Sequence, residues 1–210
     1  MIYQAVGDTT QQDLFNRSEH SERMEAFITM LGTKVELAKH EGYFGGLHNF
    51  AKEIQQNGEQ DKIKSGVHSL YTEHDNKGVM FHVSTLLPTR VDGADSQQIE
   101  VRVFIGLSYQ IVLYIIQIVA FVIYTKSIYV FQKKKRIGND MVGLVFQDGD
   151  TPFTPDLIPS QFLNCYIVVR PLDGIDEGKY KVAVTARSEI SNSTPVISEG
   201  GVFEGGPEFR

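Results

Sequence analysis

Val103 to Thr125 is a run of 23 residues without a charge, dominated by Ile, Val, Leu, Phe and Tyr, and no other segment constrains the folding of this chain so strongly. The wider block Val101–Gln132 carries only Arg102 and Lys126. By length and hydropathy such a run is a candidate transmembrane helix. The rest of the chain reads differently. It mixes polar loops with short apolar segments, and a whole-chain hydrophobic share of 41% places it in the globular class rather than the disordered one. Its 210 residues suit one domain or one domain plus an extension, long enough to bury a core.

A net charge of -6 disfavours a nucleic-acid role for the chain as a whole, because phosphate binding needs a basic surface; a local basic patch stays open. The single cysteine, Cys165, excludes a disulfide framework and a cysteine-rich zinc site, and reads as a small core residue in a reducing compartment. No charged segment followed by an apolar core opens the chain at Met1-Ile2-Tyr3-Gln4, so no secretory signal is visible. The expected location is cytoplasmic.

Residues 1–20 are polar and read as a linker. A helix is expected from Ser21, a plausible N-cap, with Met24, Phe27, Ile28 and Leu31 at helical spacing and Gly32 as the stop. Residues 41–66 are rich in Gly and polar side chains and read as loop. Strands are expected over Gly78–Thr85, Met141–Phe146, Tyr166–Val169 and Tyr180–Thr185, with a short helix over Pro155–Leu163. Strands interleaved with helical patterns predict an α/β fold, a central mixed β-sheet flanked by helices.

Familiar catalytic motifs are missing. There is no G-x-x-x-x-G-K-[ST], so no nucleotide site of P-loop type is expected; there is no G-x-S-x-G and no H-E-x-x-H. His20, His40, His48, His68, His74 and His82 lack metal-ligand spacing, and His82, inside a strand pattern, reads as a satisfied structural histidine. No metal and no cofactor are expected. What stands out is Lys133-Lys134-Lys135-Arg136-Ile137-Gly138-Asn139-Asp140 just before a strand. On a helix, Lys135 and Arg136 lie four and three residues before Asn139, on one face. A carboxamide both donates and accepts, so it can orient a water, while adjacent cations balance phosphate charge. On spacing alone, the same residues also read as a helix end beside a solvated basic face.

A family resemblance bears on that choice. Gly78-Val79-Met80-Phe81-His82-Val83-Ser84-Thr85-Leu86-Leu87-Pro88 is similar to a strand motif of the Rap GTPase-activating proteins. Arg136-Ile137-Gly138-Asn139-Asp140-Met141-Val142, Val145-Phe146-Gln147 and Thr151-Pro152-Phe153-Thr154-Pro155-Asp156 resemble its most distinctive stretch, and Phe162 to Val169 continues it. Tyr180 to Arg187 and Gly206-Pro207-Glu208-Phe209-Arg210 resemble the Rap-specific branch more than the tuberin branch. Gly42-Tyr43-Phe44-Gly45-Gly46-Leu47 and Ser69-Leu70-Tyr71-Thr72 fit as well.

The resemblance implies a partner, a Rap-type small GTPase in its GTP-bound state, and a mechanism. Rap lacks the glutamine that positions the hydrolytic water in Ras-like GTPases. The family supplies an asparagine from a helix, the Asn thumb, without an arginine finger. The matching residue is Asn139, with Lys134, Lys135 and Arg136 in the basic run that faces the GTPase. The family usually has His at the position of Arg136. The chain is then an activator of its partner's hydrolysis, not an enzyme with its own nucleotide site. The resemblance also implies that the chain is a piece of the family's catalytic domain, residues 21–210, lacking a preceding dimerisation region that would make a homodimer and stopping short of the final helices.

The apolar block interrupts that resemblance. Removing Val101–Gln132 joins Ile99-Glu100 to Lys133-Lys134-Lys135-Arg136 and restores the family spacing. The block is 132 − 101 + 1 = 32 residues, or 96 nucleotides in frame. Val101-Arg102 can be encoded by GTAAGA and Phe131-Gln132 by TTTCAG, the forms of a splice donor and acceptor. The block therefore reads as a retained intron rather than a membrane span. A true span would put the strand near Phe81 and the strand near Val145, expected in one sheet, on opposite sides of a bilayer, which an open sheet does not allow. Without the block the net charge becomes 20 − 2 − 26 = -8. With the block in place, its basic helix interrupted, the chain is expected to be inactive. Two other readings stay open: a Rap-binding relic or scaffold without activity, and a membrane-anchored protein using residues 103–125, for which the Lys-rich flank after the run would suit a cytoplasmic end.

Overall fold

A computed structural model describes residues 1–47, 66–88, 130, 133–172, 178–186 and 201–205. The run Val103–Thr125 and the motif Gly206–Arg210 lie outside them, as does most of the loop expected over residues 41–66. The architecture is mixed α/β, with two sheets. The larger has the strand order β1 (Ile2–Ala5), β5 (Val142–Asp148), β6 (Cys165–Pro171), β7 (Lys179–Ala186), β8 (Gly201–Glu204). Its first three strands run parallel and its last two are antiparallel additions. The smaller is an antiparallel sheet of β2 (Thr33–Glu36), β3 (His68–His74) and β4 (Lys77–Phe81).

The helix expected from Ser21 is α2 (Glu22–Leu31). The Ser21 hydroxyl accepts from the Met24 N–H, and Gly32 closes the last turn by donating to the Ile28 carbonyl. Gly32 is backbone-extended, so conformational freedom is not why glycine sits there. A Cβ would lie 2.5 Å from the Tyr71 carbonyl oxygen, so the close approach of β3 demands it. The expected strands in the second half appear as β5, β6 and β7. Cys165 opens β6 half-buried, so it is a strand-end residue rather than a full core residue.

Four expectations are corrected. Residues 1–20 are not a linker: Ile2–Ala5 form β1, paired with β5, and Gln11–Asn16 form helix α1, held by a reciprocal capping box between Thr10 and Asp13. The strand expected over Gly78–Thr85 ends at Phe81, and its partner β3 joins it through Asp75 and Asn76, both at positive φ, in the two-residue hairpin turn such residues favour. The helix expected over Pro155–Leu163 is one 3-10 turn, Pro155–Leu157. The strands near Phe81 and Val145 do not share a sheet. β4 belongs to the small sheet and β5 to the large one.

The two sheets are joined by packing. Successive residues of a strand point to opposite faces, and the parallel strands β1, β5 and β6 pack on both faces. On one face Ile2, Val145 and Tyr166 pack with Leu14 and Phe15 of α1, Leu37, Met80 of β4, and Ile137. On the other, Tyr3, Phe146 and Val169 pack with Met24, Phe27 and Ile28 of α2, and with Leu70 of β3. Phe27 sits 5.2 Å from the Phe146 ring and 5.3 Å from the Tyr180 ring, centre to centre. Beyond β4 the chain runs along the free edge of β1: the Ser84 N–H donates to the Met1 carbonyl, and the Tyr3 N–H donates to the Ser84 hydroxyl. Residues before and after the apolar block therefore share both cores, and a bilayer cannot divide them. Val130, the one described residue of that block, is half-buried against the first core. Among the described residues no helix is long and apolar enough to cross a membrane.

Candidate functional site

Residues 133–137 of the basic run are helical, α3, and are followed by a turn and then β5. Its four cations do not share one environment. Lys133 is 1% exposed, and its ammonium donates to the Arg17 carbonyl at 2.7 Å, where α1 ends. The exposed carbonyls at a helix C-terminus carry partial negative charge, so a cation is favoured there. Burial nonetheless pushes the Lys133 ammonium down to about 8 from 10.5. Lys134 is half-buried, Lys135 is exposed, and Arg136 is half-buried with its Nη1 donating to the Gly46 carbonyl at 3.2 Å. Burial lowers the Arg136 pKa from its ordinary value.

Asn139 lies one residue beyond Gly138 and is exposed. It is on the turn that ends α3 rather than within the helix. The Gly138 N–H donates to the Lys134 carbonyl at 2.7 Å, the Asn139 N–H to the Arg136 carbonyl at 3.3 Å, and the Asp140 N–H to the Ile137 carbonyl at 3.2 Å. These successive bonds wind the chain tightly at the helix end. A Cβ on Gly138 would sit 2.6 Å from the Lys134 carbonyl oxygen, so the turn needs glycine.

Three supports hold this turn from outside. Ile137, 1% exposed, plugs it into the core. The Ser160 hydroxyl donates to the Gly138 carbonyl at 2.5 Å and accepts from the Phe162 and Leu163 N–H groups. Asp140 faces the His82 ring, with Oδ1 3.0 Å and Oδ2 3.2 Å from Nδ1. The other ring nitrogen, Nε2, lies 2.8 Å from the Gly45 carbonyl oxygen. His82 is thus a satisfied histidine, as its sequence setting predicts, but its partner Asp140 is 58 residues away and no local signal points to it. Among the described residues no group of His, Cys, Asp and Glu could hold a metal ion.

The arrangement offers an exposed carboxamide on a well-braced turn, with Lys135 exposed four residues before it and the large apolar side chain of Met141, 73% exposed, two residues after it. Such a group can donate and accept at once toward a molecule docked against the turn. The structure brings Asn139, Lys134, Lys135 and Arg136 together on one turn and its helix. It assigns Lys133 and Arg136 bonds within the fold, which leaves Lys135 as the most accessible cation of the run.

Comparison with known proteins gives a consistent picture. The family described as Rap/ran-GAP matches residues 14–130 and 124–210, two stretches that meet within the apolar block. The chain is 30% identical over 207 residues to a GTPase-activating protein of Dictyostelium discoideum, covering 96% of this chain and 15% of that protein. It is 28% identical over 212 residues to the mouse signal-induced proliferation-associated 1-like protein 1, covering all of this chain and 9% of that one. It therefore spans less than a fifth of the length of these relatives. In fold it is similar to the TSC2 GAP domain, with a TM-score of 0.67 and 19% identity over 99% of this chain and 87% of that one.

Proposed function

The chain belongs to the Rap/ran-GAP family, and from that premise we propose that it accelerates GTP hydrolysis by a small GTPase of Rap type, with Asn139 as the residue that enters the partner's nucleotide site. The observation that carries this reading is the position of Asn139: exposed, polar in both senses, and on a turn held by Ile137, Ser160 and the His82–Asp140 contact. A group that must orient a water against a γ-phosphate gains from being held before the partner arrives. Lys135 and the half-buried Lys134 and Arg136 supply positive charge beside it, suited to a phosphate-bearing partner. Activators of this class raise hydrolysis by roughly 10⁵-fold, equivalent to about 7 kcal/mol, by positioning and electrostatics.

The active form is proposed to lack Val101–Gln132. Lys133, the first residue after that block, is already anchored to α1, and the segments on either side pack into common cores. The whole protein's partner and setting follow the same reading: a GTP-bound Rap-type GTPase in the cytoplasm, and a homodimer through a region preceding this chain. Single-turnover hydrolysis by GTP-loaded Rap, with the chain lacking residues 101–132, tests the proposal. Acceleration that Asn139→Ala abolishes supports it. Partner binding without acceleration would select the scaffold reading instead.

A further inference from the structure

We propose that Lys133 is a positioning residue for Asn139: its bond to the Arg17 carbonyl sets how α3 is turned about its own axis, and so where the carboxamide six residues on is held; this rests on the reading of Asn139 given above. Lys133 and Ile137 are four residues apart, both 1% exposed, and share the buried face of α3. An amphipathic helix ordinarily places apolar side chains at both such positions. Ile137 fits that rule and Lys133 breaks it. Its ammonium meets a main-chain carbonyl, 2.7 Å away, rather than a carboxylate. Burial alone pushes that ammonium down to about 8, so the charge is unfavourable there, whereas a methionine of similar length would fill the space without one. What a lysine adds is direction. An apolar contact tolerates small rotations of the helix, while a hydrogen bond to one carbonyl weakens steeply as its distance and angle change.

The acceptor is itself fixed. The Arg17 guanidinium donates to both oxygens of the buried Asp8 carboxylate, Nε to Oδ2 at 2.7 Å and Nη2 to Oδ1 at 2.6 Å. Oδ2 also accepts from the Ala5 N–H at 3.0 Å. Ala5 ends β1 and pairs with Asp148, the last residue of β5. The contacts form a closed circuit. β1 holds Asp8, Asp8 holds Arg17, and the Arg17 carbonyl holds Lys133. Lys133 leads through α3 and the Asn139 turn into β5, which pairs back with β1. The turn is therefore located from both sides against the same pair of strands. Without the Lys133 bond its exit stays continuous with β5, while the helix that enters it loses this link to β1.

The test uses the full chain at pH 7. The N–H groups of Gly138, Asn139 and Asp140 close the turn, so their hydrogen exchange reports its set apart from that of the β5 amides. Lys133→Met should speed exchange at these three by about 10-fold or more and leave the β5 amides within about two-fold of the wild type. Exchange faster by one factor throughout, or failure of the variant to fold, would overturn the proposal, because the bond would then hold the fold and not the turn. Unchanged exchange at the turn would overturn it as well. In hydrolysis assays with Rap and the chain lacking residues 101–132, Lys133→Met should lower the maximal rate by about 100-fold, as expected for a reacting group misplaced by about 1 Å. Partner binding should change less than about two-fold, because the side chain is buried away from any partner. Weaker binding with an unchanged maximal rate would count against it. Normal acceleration by Asn139→Ala would defeat the proposed function instead, and the exchange experiment would still decide the role of Lys133.

Discussion

Lys133→Met should reveal a buried charge through the pH dependence of stability. The Lys133 ammonium, on α3, is taken out of water, and burial moves it from 10.5 to about 8. At 1.36 kcal/mol per unit, that displacement corresponds to about 3 kcal/mol of disfavoured charge. The sign follows from linkage. Between about 8 and 10.5 the unfolded chain binds the proton that the native chain has released, so stability rises with pH across that window. From pH 7 to pH 10 the wild type should gain about 2.5 kcal/mol relative to Lys133→Met. Urea denaturation of both proteins at the two pH values measures this, and other titrating groups cancel in the difference. At pH 7 the variant should differ little, because removing the desolvated charge offsets the loss of the bond to the Arg17 carbonyl, worth about 1–3 kcal/mol when the acceptor is left buried. A difference that moves by less than about 0.5 kcal/mol between pH 7 and 10 would refute the reasoning, since the linkage relation leaves no other outcome for a lysine so shifted.

Three further predictions concern the frame around the site. Phe27→Ala should cost about 3–5 kcal/mol in urea denaturation, because Phe27 is fully buried between Phe146 and Tyr180. Gly138→Ala should lower GTPase activation by about 10-fold or more with the fold retained, because its Cβ must displace the Lys134 carbonyl that closes the turn; unchanged activity in a hydrolysis assay would contradict the tight-turn account. Deletion of Val101–Gln132 should convert an inactive chain into an active one, and a peptide joining Ile99-Glu100 to Lys133 in digests of the native protein would identify the same junction.

The elements most legible in the sequence were those with their own local signals. α2 declares itself through Ser21, its apolar spacing and Gly32, and β5, β6 and β7 through β-branched runs. β1 is hidden because the four residues Ile2–Ala5 are too few to carry a period, and what makes them a strand is pairing with β5, more than a hundred residues away. α1 had a legible signal, Thr10 and Asp13 at capping-box spacing, inside a segment otherwise polar enough to pass for linker. The hairpin turn at Asp75-Asn76 was readable too, and would have supplied β3. The basic run predicted a charged face beside Asn139. Its division into an internal anchor, a loop clamp and an accessible lysine depended on contacts with Arg17 and Gly46 that no spacing encodes. His82 reads as structural in the sequence; only folding places it against Asp140, and through it beside Asn139.

The most direct measurement is single-turnover hydrolysis of GTP by a Rap-type GTPase, with and without the chain lacking residues 101–132, and with its Asn139→Ala variant checked for fold and partner binding. The account predicts acceleration approaching 10⁵-fold, with loss of at least about 100-fold in the variant and partner binding retained. Equal acceleration by Asn139→Ala and the unsubstituted chain would contradict it.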